Sequence, residues 1–120
     1  DLGKAWFEYL GSDVFGGGCF LVAAASEMDA RPGPVRDSIA AALSEWIDFI
    51  TALVNDAVQE RALCSTVDVA DLVFRLNAFG MAANFHRQLL GDNTIVERAH
   101  RAWRIEIERN QPSQGAKQCR

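Results

Sequence analysis

The sequence holds little that would tie a fold together covalently. Three cysteines, Cys19, Cys64 and Cys119, stand far apart, and no two of them form a Cys-x-x-Cys pair. An odd, scattered set argues against a disulfide framework and is expected as reduced thiols in a cytoplasmic protein. Positive charge is also short. Twelve Lys and Arg against sixteen Asp and Glu give a net charge of −4, which suits the chain poorly to gripping DNA phosphates by itself. Long apolar runs are missing. The longest uncharged stretch, residues 14–26, falls short of the roughly 20 residues that span a bilayer, so no membrane partner is expected. No secretory signal is visible. No segment alternates with period two over a useful length, and no internal repeat occurs, which removes sheet and solenoid architectures. An initiating Met is absent too. The chain begins Asp-Leu-Gly-Lys-Ala-Trp and reads as a segment of a longer protein.

What is present suits one ordinary domain. The 120 residues are 49% apolar and 23% charged, enough to bury a core without metal or disulfides. The most informative stretch is 68–91, DVADLVFRLNAFGMAANFHRQLLG. It reads as a helix of about six turns. Asp68 is placed to cap its start, Asp71 lies at capping-box spacing, and Gly91 is placed to end it. At about 100° per residue, Leu72, Leu76, Phe79, Ala83 and Leu90 share one side. Phe74, Ala78, Met81 and Phe85 share roughly the other. A helix apolar on nearly all sides is buried on nearly all sides. In so short a chain it is expected to face its own domain on one side and a second copy on the other.

The remaining elements read as helices as well. Residues 1–10 carry Leu2, Ala5, Trp6, Tyr9 and Leu10 on helical spacing. After Gly16-Gly17-Gly18, residues 19–28 (CFLVAAASEM) suit a short buried helix. Arg31-Pro32-Gly33-Pro34 breaks the chain. A long amphipathic helix then runs from Pro34 to about Leu63, with Val35, Ile39, Leu43, Trp46, Ile50, Leu53, Ala57 and Val58 on one stripe. A last helix is expected over residues 95–109, capped by Thr94 with Glu97. The fold class is therefore all-α. About five helices form a bundle over residues 1–110, with a polar C-terminal tail at 111–120.

Residues 17–36, GGCFLVAAASEMDARPGPVR, resemble the start of the C-terminal domain of the tetracycline-repressor (TetR) family of transcriptional regulators. The resemblance lies in Gly17-Gly18-Cys19, the small-residue helix, Glu27, Asp29 and Arg31-Pro32-Gly33-Pro34-Val35-Arg36. The order of the helices after it agrees. It implies an all-helical domain that binds a small effector in a cavity and forms a homodimer, its last two helices joining a second chain in a four-helix interface. It also implies operator DNA as a partner through an N-terminal helix-turn-helix domain. That domain is missing from these residues, none of which forms a basic recognition helix.

Two sets of residues follow from the pattern and the resemblance together. The ligand-binding candidates are Trp6, Phe20, Trp46, Phe74, Asn77, Met81 and Asn84. Amides on a buried helix need partners, and a few polar groups among aromatic walls describe a pocket for a small, mostly apolar or aromatic effector. The bland alternative is core packing for the aromatics and backbone contacts for the amides. The dimer-interface candidates are Leu76, Phe79, Gly80, Ala83, Leu90, Val96, Ala99, Trp103 and Ile107. The bland alternative is that all nine face one core. A free-standing helical interaction module, pairing with protein and binding no effector, is the other reading of the whole chain.

Enzyme readings lack their parts. Glu97-Arg98-Ala99-His100 has the Glu-x-x-His spacing of di-iron bundles, but His86 has Ala83 three residues before it, where a second motif needs Glu. Cys19 has no base nearby in sequence. The glycine triplet lacks the lysine of a phosphate loop. No cofactor is expected.

Overall fold

The computed structural model describes residues 32–113. They form three helices and no strand: α1 (Pro34–Gln59), α2 (Val69–Leu90) and α3 (Thr94–Arg109). The all-α expectation is met. The helices expected over 1–10 and 19–28, with Trp6, Phe20 and Cys19, and the end of the tail lie outside the described residues.

Helix α1 starts as the sequence suggests, with Pro34 in the first turn and Asp37 near the positive end of the dipole. Gly33 precedes it at φ 144°, a backbone conformation that residues with a Cβ rarely adopt. The helix ends four residues earlier than expected. Arg61 takes a left-handed conformation at φ 63°. The Arg61 N–H then donates to Val58 O at 3.1 Å and the Ala62 N–H to Ala57 O at 2.9 Å. This pair of bonds is a Schellman closure. Glycine usually occupies its left-handed position, so an arginine there gives no warning in the sequence.

Helix α2 matches its expected ends. Asp68 Oδ1 accepts from the Asp71 N–H at 3.1 Å. Gly91 is left-handed at φ 68° and donates to Arg87 O at 2.9 Å. Asp71 does not complete a capping box; its carboxylate pairs with Arg75 at 2.8 Å. The start of α3 differs from expectation. Thr94 lies inside the helix, and Asp92 Oδ1 accepts both its N–H at 2.9 Å and its hydroxyl at 2.6 Å. A carboxylate two residues upstream reaches both donors, so the Thr94 side chain does not cap.

Helix α2 is the central element, packed on α1 by one side and on α3 by another. The core between them holds Ile50, Val54, Leu63, Leu72, Val73, Leu76, Ala83, Ala99 and Trp103. Two polar ties close the molecule. The Cys64 N–H donates to Asn110 O at 2.8 Å, which fixes the loop after α1 to the end of α3. Arg75 bridges Asp71 at 2.8 Å and the mostly buried Glu106 at 3.1 Å, joining the start of α2 to the end of α3. Cys64 is buried and disulfide-bonded, its partner lying outside the described residues. The expected set of three reduced thiols is corrected there, because sequence spacing does not report which sulfurs fold close together. No helix among the described residues is long and apolar enough to cross a membrane.

Candidate functional site

Three surfaces around α2 carry the candidate residues. The first is the seam between α1 and α2. The Trp46 indole N–H donates to Asn77 Oδ1 at 3.1 Å, and Asn77 Nδ2 donates to Met81 Sδ at 3.2 Å. The Phe49 ring lies 6.0 Å from that of Trp46. The 31-residue gap between Trp46 and Asn77 is closed because both sit on helix faces turned to the same seam. Beyond Met81, α2 exposes a ridge of Phe74, Ala78, Phe85 and Leu89; Phe74 is 73% exposed and Phe85 58%. The structure thus brings Trp46, Asn77 and Met81 together. Phe74 stands on the open ridge. Asn84 is turned into the interior at 3% exposure.

The second surface is a groove of about 150 Å³ between the outer sides of α2 and α3. Phe79, Ala82 and His86 line it from α2, and Ile95, Arg98 and Ala102 from α3. Ala83 and Ala99 form its floor. Small side chains at both walls leave the two backbones open to close approach. The dimer-interface candidates divide between this groove and the core. Phe79, Ala83 and Ala99 border the groove, and Leu90 is exposed at the end of α2. Leu76, Gly80 and Trp103 are buried inside the chain, and Val96 and Ile107 pack against the core. These five lie some 60–120° around their helices from the groove at 100° per residue.

The third surface is a cleft of about 660 Å³ between α1 and α3. It was not legible as a site. Its only signal is the run His100, Arg104 and Glu108 at four-residue spacing beside Trp103 and Ile107. Among the described residues no group of three or more His, Cys, Asp or Glu is placed to hold a metal. His100 lies on this cleft. The Asp92 carboxyl is held below its ordinary value of 3.8 by the hydrogen bonds from the Thr94 hydroxyl and N–H, with smaller help from Arg98 and His86.

A family model described as the tetracycline repressor-like C-terminal domain matches residues 1–103. The chain belongs to this family. The TetR-like assignment agrees with the order of α1, α2 and α3 and with the Gly-Gly-Cys to Pro-Gly-Pro segment upstream of them. The fold of the TetR-like chain is also similar to the crystal structure of a TetR family transcriptional regulator from Cytophaga hutchinsonii, at a TM-score of 0.80 and 15% identity. That likeness covers 93% of this chain and 60% of the other. At such identity it is a likeness of fold, and the TetR-like chain spans about three fifths of the regulator it resembles. No curated protein matches the chain.

Proposed function

We propose that this TetR-like domain is the effector-binding and dimerisation part of a cytoplasmic, non-enzymatic transcriptional regulator. Its DNA contacts would come from a helix-turn-helix domain N-terminal to these residues. The observation that carries the reading is the row Trp46–Asn77–Met81, polar groups aligned in a seam otherwise bounded by Phe49 and the ridge of Phe74 and Phe85. Such a surface suits a small aromatic or apolar effector that exchanges hydrogen bonds with Asn77. The groove between α2 and α3 suits a second copy, the two pairs of helices forming a four-helix bundle. Helix α2 contributes to both surfaces. An effector that alters how α1 sits on α2 therefore acts on the helix that carries the dimer groove. Couplings of this kind amount to about 1–3 kcal/mol.

The test is a thermal-denaturation screen of the chain against small aromatic and apolar compounds. A ligand at about 100 times its Kd adds roughly 2.7 kcal/mol of stability, and its effect is expected to vanish in Asn77→Leu while the oligomeric mass is unchanged. Hits that stabilise wild type and Asn77→Leu equally would remove the seam from the effector site. A dimer that answers to no compound would favour the interaction-module reading, which the groove supports by itself.

A further inference from the structure

We propose that the cleft between α1 and α3 is a second small-molecule site, separate from the α1–α2 seam, and that it takes an amphipathic carboxylate. Helices α1 and α3 both pack on α2 and scarcely touch each other, so a gap opens between them with Leu76 of α2 at its floor. Its walls are apolar: Ile50, Leu53, Val54 and Ala57 from α1, Trp103 and Ile107 from α3. At about 660 Å³ it falls in the range of roughly 300–1,000 Å³ that holds small ligands. The Cys64 N–H bond to Asn110 O at 2.8 Å ties the α1 loop to the end of α3, on the side where Leu63 and Gln111 line the cleft.

The polar groups sit on one edge. His100, Arg104 and Glu108 follow one another along α3, Glu108 nearest in sequence to the tie at Asn110. Arg104 is exposed and forms no ion pair with any described carboxylate. A guanidinium binds a carboxylate by two parallel N–H bonds. An apolar tail would then lie along Leu53, Ala57 and Ile107, the apolar lining residues that are not fully buried. The cleft also stays open in the proposed dimer. Residues 95, 98, 99 and 102 border the groove while 100, 103, 104 and 107 border the cleft, on nearly opposite sides of α3 at about 100° per residue.

The probe is decanoate, titrated below its micelle concentration into the full chain, with decanol and decylammonium as controls. Binding is read by heteronuclear NMR and tryptophan emission. Decanoate is expected to shift Trp103 and Ile107 and to bind at least about tenfold tighter than either control. Arg104→Gln, at an exposed position that leaves the fold intact, is expected to weaken it by about tenfold. Ala57→Trp, which fills the cleft, is expected to abolish binding, and Asn77→Leu to preserve it. The proposal is overturned if decanoate shows no saturable binding, if decylammonium binds as tightly, or if Arg104→Gln changes nothing. Loss of binding in Asn77→Leu would also overturn it, by moving the ligand to the seam.

Discussion

Trp46 and Asn77, 31 positions apart, are joined by a 3.1 Å hydrogen bond that fixes the register of α1 on α2. Asn77 passes the chain on to the Met81 sulfur at 3.2 Å, a weak acceptor. Replacing Asn77 by Leu leaves the half-buried indole N–H without its acceptor. Loss of one partner in such a pair costs about 1–3 kcal/mol. The seam is only partly buried, so the lower end is expected. Urea unfolding should show a midpoint shift at unchanged slope. A variant as stable as wild type would mean that water replaces Asn77 at no cost.

Trp103 and Ala102 are neighbours in sequence with opposite expected effects. Trp103 is 7% exposed in the core, and Trp103→Ala should cost about 3–5 kcal/mol, a large share of a domain's total stability. Trp103→Asp should unfold the chain rather than release a folded monomer. The measurement is circular dichroism against temperature for both variants. A well-folded Trp103→Asp monomer would return this residue to the dimer interface.

Much of the fold was legible. Asp68, Gly91 and Pro34 mark helix ends by backbone chemistry that operates locally. The stripe of α1 gives its buried side only in part: Ile50 is buried, but Val35 and Leu53 on it are exposed and the buried Val54 lies off it. The early stop of α1 was not legible, because its signal is a left-handed Arg61 that only the folded chain reveals. The exposed ridge of Phe74 and Phe85 explains why α2 reads as apolar all round. Which side met which neighbour did not follow. Leu76 and Gly80 face the chain's own helices, while the groove lies one step round at Phe79 and Ala82. A helical wheel gives directions around one helix and says nothing of where the neighbours stand. The Trp46–Asn77 bond is out of reach of the sequence for the same reason, although an indole and a buried amide are each legible as groups that need partners.

Arg61 occupies a left-handed position at φ 63°, which costs a residue with a Cβ about 1–2 kcal/mol. Glycine avoids that cost and loses about 0.5–1 kcal/mol through its freer unfolded chain. Arg61→Gly should therefore stabilise the domain slightly, by up to about 1 kcal/mol, visible as a higher urea midpoint. A destabilised variant would show that the Arg61 side chain holds the closure by contacts of its own.

Asp92 accepts two bonds from Thr94, and its pKa lies below 3.8. A depressed carboxyl contributes stability above its unfolded value, and that contribution is lost as pH falls through the folded value. The stability gap between wild type and Asp92→Ala should be constant above pH 3.8 and close as the pH is lowered below it. Asp92 is fully exposed, so salt should shrink the gap. A gap independent of pH would assign the effect to helix geometry and not to charge.

The outer groove of α2 and α3 is proposed to pair two copies of the chain. Sedimentation equilibrium of wild type beside Ala102→Glu tests it most directly. Ala102 lines the groove, glutamate favours helix, and two desolvated carboxylates brought together across a seam are strongly unfavourable. Wild type is expected to sediment as a particle of twice 13.2 kDa, and the variant as a folded monomer with unchanged helix content. A wild-type monomer, or an Ala102→Glu dimer as tight as wild type, would contradict it.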